Sequence, residues 1–191
     1  MSYYHFKPPG LQAHIFLKYD YQNSTKTILL HELIMFKDKN EIVKISKVKE
    51  LKPTDTSNMA EQEILEKIER LFVDHFSGKL VDLFAEIQKL NVELDVKSKY
   101  KSEFAYNVLE FLIKVKPGET TSYYEIGSQI GSKAYRAIGN ACRSNPIPLI
   151  VPCHRVLKRN GEIGGFMGKN SDNEWETNLK KEILMLEKAK L

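Results

Sequence analysis

The stretch Pro146-Ile-Pro-Leu-Ile-Val-Pro-Cys-His-Arg-Val constrains the fold more than any other part of the chain. Three prolines bracket an apolar run. Each ring removes a backbone donor and fixes φ, so the run can be neither a helix interior nor a central strand. It is expected to follow an extended, stiff path through a core. Cys153 and His154 stand at its end. Adjacent side chains of an extended strand point to opposite faces, so these two can cooperate only across a bend or through a bridging water. Just beyond, Lys158-Arg-Asn-Gly-Glu carries turn chemistry, and Asn160-Gly161 predicts a hairpin.

Helical spacing dominates on either side of this segment. Ser102 and Glu103 open a pattern in which Phe104, Val108, Leu109, Leu112 and Ile113 share one face, and Pro117-Gly118 stops it. A second helix is expected from Ser122 to Ile130, ended by Gly131, and a third from Lys133 to Arg143. Two short helices joined by a glycine turn, the second one basic, fit a helix-turn-helix. A last helix runs from Glu174 to Leu186, with Trp175, Leu179, Ile183 and Leu186 facing inward.

The first hundred residues have a different character. His14–Tyr19, Thr27–Phe36 and Glu41–Ile45 predict strands, with turns at Asn23-Ser24 and Asp38-Lys39-Asn40. Residues 59–76 carry Ile64, Ile68, Leu71, Phe72 and Phe76 at helical spacing, with Asn58 or Ser57 as cap and Gly78 after the end. Leu90–Asp95 suggests one more strand. The Lys-rich piece 97–101 reads as a linker, giving an α/β domain over 1–96 and a mainly helical domain over 102–191.

Charge is uneven. The net charge is only +4, yet no acid occurs between Glu125 and Glu162, where Lys133, Arg136, Arg143, Arg155, Lys158 and Arg159 all fall. A single-sign block within otherwise interleaved charges is the footprint expected of a phosphate-binding face. Only two cysteines occur, Cys142 and Cys153, with no C-x-x-C pair, and His5, His14, His31 and His75 are scattered. A disulfide framework is therefore excluded, and no metal site is legible. No apolar run is long enough for a membrane span, and the first residues lack the apolar core of a secretory signal. An intracellular, reducing setting in which a free thiol survives is the expectation.

A thiol titrates at about pH 8.5, so a reactive Cys153 requires help from a base or from positive charge. The segment from Asn145 through Val156 resembles the active-site signature of the O6-alkylguanine-DNA alkyltransferases, the methylated-DNA–protein-cysteine methyltransferases. Four further elements match in order. Pro117-Gly-Glu-Thr-Thr-Ser-Tyr resembles the entry to the family's first DNA-binding helix, and Ala134-Tyr-Arg-Ala-Ile-Gly-Asn-Ala its recognition helix. Gly161-Glu-Ile-Gly-Gly-Phe-Met-Gly resembles the glycine-rich loop after the nucleophile, and Lys180-Lys-Glu-Ile-Leu-Met-Leu-Glu the closing helix.

The resemblance implies a ribonuclease-H-like α/β first domain and a winged-helix-like second domain containing the helix-turn-helix. It implies an irreversible, single-turnover transfer of an alkyl group from O6-alkylguanine in double-stranded DNA, leaves O4-alkylthymine open as a second substrate, and implies no cofactor. Cys153 would accept the alkyl group, His154 would deprotonate it through a water, and Glu187 would orient His154. Tyr123 would hydrogen-bond the departing guanine and Asn145 would serve as the hinge to the nucleophile loop. Arg136 would hold the space of the flipped nucleotide in the minor groove, with Lys133, Ala134, Tyr135, Ala137 and Arg143 on the DNA face. Val156, Phe166, Met167 and Lys180 would form the substrate pocket. The protein would act as a monomer, without a membrane.

Three departures from the family bear on DNA fit and alkyl range. Tyr135 stands where the family has a small residue, Phe166 replaces a tyrosine, and extra residues surround Asn170-Ser-Asp-Asn. The cysteines of the zinc site found in some members are missing. The alternative reading is a helix-turn-helix transcription regulator that uses Cys153 as a sensor, which would bind one operator sequence selectively.

Overall fold

The computed structural model describes residues 1–38, 40–41, 58–98, 100, 102–169 and 174–188. The chain divides into two compact units, Met1–Asp95 and Val96–Leu191.

In the first unit β1 (Ser2–Phe6), β2 (His14–Gln22) and β3 (Thr27–Phe36) form an antiparallel meander, and β4 (Val92–Leu94) adds to β3 in parallel. The alternation Ile15, Leu17, Tyr19 puts fully buried side chains on one face. Helix α1 (Met59–Asp74) covers that face, with the Phe6 and Phe72 rings 5.4 Å apart and the Tyr19 hydroxyl donating to Glu61 at 2.8 Å. Asn58 caps α1 by accepting from the Ala60 and Glu61 amides. The register of β2 with β3 shifts at Lys18/Tyr19, leaving His31 as the extra residue. Its ring lies 2.7 Å from Asp95 and 3.0 Å from Asp20. Sequence patterning missed β1 and the short α2 (Leu83–Ile87), whose apolar residues are too few to show a period. The strand expected from Glu41 lies, from residue 42 on, outside the described residues.

The second unit begins at Val96, and Tyr100, expected in a linker, is buried there with its hydroxyl donating to the Ala141 carbonyl at 3.0 Å. Helix α3 (Glu103–Leu112) is capped by Ser102 and buries Val108, Leu109 and Leu112. Helix α4 (Tyr123–Gln129) starts with a complete capping box between Ser122 and Glu125. Helix α5 (Tyr135–Arg143) follows after Gly131, which takes a φ of +69°, and starts two residues later than its basic pattern suggested. α4 and α5 meet closely because Gly127 has no side chain: a Cβ there would stand 2.4 Å from the Ser132 carbonyl oxygen. The parallel pair β5 (Thr121–Ser122) and β6 (Val156–Leu157) ties the start of α4 to the segment after Cys153. Helix α6 (Trp175–Leu186) buries Leu179, Ile183 and Leu184, while Trp175 and Leu186 are only half-buried.

Candidate active site

The proline-bounded segment is bent rather than extended. Leu149 takes a φ of +74°, the Val151 amide donates to the Ile147 carbonyl at 3.0 Å, and Cys153–Arg155 forms a 3-10 turn. The prolines do prevent regular structure, but they do so by shaping turns. This supplies the bend that Cys153 and His154 needed, since a 3-10 turn places successive side chains about a third of a revolution apart. The Asn160-Gly161 turn closes as expected, with Gly161 at a φ of +84° and the Lys158 amide donating to the Glu162 carbonyl at 2.8 Å, but no paired strand follows it.

Asn145 holds the bend together. Its Oδ1 accepts from the Ile147 amide at 3.1 Å, while its Nδ2 donates to the Val151 carbonyl at 2.7 Å and to the Cys153 Sγ at 3.2 Å. Burial pushes the Cys153 thiol above its ordinary range; the Asn145 hydrogen bond and the positive charge of Lys180 pull it partly back. The resting group is therefore a thiol, and a thiolate has to be generated.

Beside it, His154, Arg155 and Glu187 are all buried. His154 Nε2 lies 3.2 Å from Glu187 Oε1. Arg155 grips the same carboxylate through Nη2 at 2.6 Å and Nε at 2.9 Å, and its Nη1 donates to the Val115 carbonyl at 2.7 Å. Arg155 was expected to touch phosphate; it is instead a buried strut, and sequence patterning missed it because its charge was counted with the basic block. The Pro117-Gly118 turn abuts the end of α6, where a Cβ on Gly118 would sit 3.2 Å from the Glu187 backbone oxygen.

Cys153 opens onto a cavity of about 320 Å³. One wall is the α5 face Arg136, Gly139, Asn140 and Arg143, at helical spacing. Gly139 and Asn140 follow from that spacing once Arg136 is placed, although they were not singled out beforehand. The other wall is Gly165–Lys169. Here Phe166 and Lys169 exchange both backbone hydrogen bonds at 2.9 Å around Met167 and Gly168, at φ +48° and +85°, the signs a type I′ turn demands. A Cβ on Gly168 would stand 2.9 Å from Arg143 Nε, so the two walls are fitted to each other.

Tyr123 lines the cavity, and burial raises its hydroxyl to about 12, so it remains a proton-bearing donor. Cys142 also lines it; burial pushes that thiol up to about 12. Phe166 and Met167 are in the wall, whereas Val156 and Lys180 do not line it. Val156 is fully buried behind it, and its carbonyl accepts from Lys180 Nζ at 2.6 Å. Burial lowers the Lys180 ammonium to about 8, against the opposing pull of Cys153 and Cys142. Lys133, Ala134, Tyr135 and Ala137 lie outside the cavity, at and before the start of α5. The extra residues at 170–173 lie outside the described residues. Among the described residues no helix is long and apolar enough to cross a membrane.

A sequence family described as 6-O-methylguanine DNA methyltransferase, DNA binding domain, matches residues 103–189. The methylated-DNA–protein-cysteine methyltransferase of Mycobacterium bovis is 39% identical over 120 residues, covering 60% of this chain and 67% of the relative. The chain belongs to the methylated-DNA–protein-cysteine methyltransferase family. The mouse member is 47% identical over a shorter span of 70 residues, 36% of this chain and 33% of that one. Among solved structures, Mycobacterium tuberculosis OGT in complex with DNA superposes with a TM-score of 0.64 at 25% identity, covering 98% of this chain and 93% of that one. These family likenesses agree with an α/β first unit followed by a mainly helical second unit.

Proposed function

We propose that the protein reverses O6-alkylguanine damage in double-stranded DNA by transferring the alkyl group once, irreversibly, to Cys153. The observation that carries this reading is the Cys153 sulfur held by Asn145 in the lining of the cavity of about 320 Å³, beside the buried His154–Glu187–Arg155 chain. The M. bovis and mouse relatives bear the same activity in their names, and the M. tuberculosis relative was solved with DNA.

Each residue has a defined task. The second unit, Val96–Leu191, forms the DNA-binding and acceptor domain. Arg136, exposed near the start of α5, occupies the gap left when the damaged nucleotide turns out of the duplex, while Lys133 and Arg143 meet phosphates. Ala134 and Ala137 permit close approach to a narrow groove. His154, oriented by Glu187, accepts the Cys153 proton through a water. The sulfur then attacks the alkyl carbon, the carbon–O6 bond breaks, and its electron pair goes to the guanine. The Tyr123 hydroxyl donates to the leaving base and disperses that charge. Lys180 favours the thiolate electrostatically from behind the cavity. The first unit's meander, covering helix and parallel β4 support a ribonuclease-H-like description, and α4–α5 with β5–β6 support a winged-helix one.

Intact-protein mass spectrometry after incubation with O6-methylguanine duplex tests this reading. One methyl per chain, on the peptide containing Cys153, is expected. Repeated turnover, or label chiefly on Cys142, overturns it. A thousandfold preference for one undamaged sequence would instead establish the regulator reading.

A further inference from the structure

Outside the cavity, three side chains from three segments meet on the surface of the second unit. Tyr124 on α4 and Tyr135 at the start of α5 are 43% and 39% exposed. Their ring centroids lie 6.1 Å apart with the planes inclined by 38°. Arg159, in the loop after β6, places its guanidinium 4.3 Å from the Tyr124 ring centroid. None of the three lines the reaction cavity.

The group is fixed in place. At Gly127 a Cβ would be 2.8 Å from Tyr135 Cε1 and 3.3 Å from Cδ1, so one edge of the ring fits against the bare α4 backbone. The pairing of Ser122 with Leu157 holds the Arg159 loop beside the start of α4. The Tyr135 ring leans back onto α4 and still stays 39% exposed. Two half-exposed rings and a guanidinium in one cluster contribute little to a core, but ordered π surfaces with a stacked cation are what unpaired bases bind. The surrounding charge suits a phosphate chain: residues 126–161 contain no acid, and Lys133, Arg136 and Arg143 are exposed. Glu125, the nearest acid along α4, is engaged by the Ser122 amide at 2.7 Å and the Thr121 hydroxyl at 3.1 Å.

We propose that Tyr124, Tyr135 and Arg159 form a base-stacking platform for single-stranded DNA, a second contact distinct from the cavity that receives the damaged nucleotide. The proposal deepens the repair reading and rests on it for the choice of nucleic acid. The bases lie on the tyrosine rings, while Arg159 braces Tyr124 and adds positive charge.

Stacking needs a base, whereas phosphate attraction does not. The test is therefore fluorescence anisotropy with a short oligothymidylate and an abasic deoxyribose-phosphate strand of equal length. The wild-type protein should bind the oligothymidylate about tenfold more tightly than the abasic strand. Tyr124→Leu and Tyr135→Leu should each remove most of that preference, weakening oligothymidylate binding far more than abasic-strand binding. Tyr124→Phe, which keeps the ring, should retain it. Equal wild-type affinity for the two strands overturns the platform whatever the variants do, as does a preference that survives both leucine substitutions. Methyl transfer from an O6-methylguanine duplex to the wild type is followed in parallel. Failure there would remove the repair reading, while the strand comparison would still decide the platform.

Discussion

Replacing Arg155 by methionine is the most informative test of how the site is supported. Glu187 is 1% exposed, and Arg155 supplies donors to both of its oxygens at 2.6 and 2.9 Å. Methionine approximates the volume but removes both donors, together with the one serving the Val115 carbonyl at 2.7 Å. Leaving one charge of a buried pair without its partner costs about 3–5 kcal/mol. The carbonyl would add about 1–3 kcal/mol if nothing replaced the donor. Because His154 still reaches Glu187 at 3.2 Å, we expect a loss of about 4 kcal/mol rather than the full sum. Removing both partners, in Arg155→Met with Glu187→Leu, should be milder, since no carboxylate is then stranded. The chain's one tryptophan, Trp175, opens α6 in this unit, so its fluorescence during urea unfolding reports the relevant transition. A single variant within about 1 kcal/mol of wild type, or a double variant less stable than the single, would refute the reasoning.

Gly127→Ala should destabilise the same unit by about 1–3 kcal/mol in that unfolding assay, because its Cβ meets the Ser132 backbone carbonyl as well as the Tyr135 ring. Glu187→Gln should slow alkyl transfer near neutrality and recover part of the rate at alkaline pH, where the thiol ionises without help; an unchanged rate at pH 7 would make Glu187 purely structural. The raised Cys153 thiol ionises only above the ordinary thiol range, so modification of Cys153 by iodoacetamide should still be climbing at about pH 9, and a plateau below that pH would contradict the burial argument. Lys180→Met removes a cation that favours the thiolate, so free-base transfer should slow at pH 7; an unchanged rate would show that this lysine serves only the Val156 and Gly165 carbonyls.

Periodicity located α1, α3 and α6 because each buries a clear apolar stripe, glycine boundaries marked α4 and α5, and capping chemistry at Asn58, Ser102 and Ser122 marked three helix starts. It misjudged the proline segment. Proline rules exclude regular structure but do not reveal a left-handed Leu149 or a 3-10 turn, which depend on the tertiary bonds of Asn145. The residue types around Cys153 were legible through family likeness, yet their connections were not. Nothing local says that Arg155, among six cations in an acid-free run, points inward to a carboxylate 32 positions away. Nor does anything local say that the Lys180 ammonium reaches the backbone carbonyls of Val156 and Gly165.

The two non-glycine residues with left-handed backbone near the nucleophile, Leu149 and Met167, have a consequence for protein engineering. Each holds a conformation that an L side chain adopts at a cost of roughly 1 kcal/mol, one in the turn preceding Cys153 and the other in the opposite cavity wall. A directed-evolution screen that rewards heat tolerance alone will find glycine at these positions attractive, since it relieves the strain. The same exchange would remove the Met167 side chain from the cavity wall and loosen the approach to Cys153. Thermostable variants chosen without an activity filter should therefore accumulate changes at the site sooner than in the sheet of the first unit, and a library intended to keep both properties should fix these two codons from the outset.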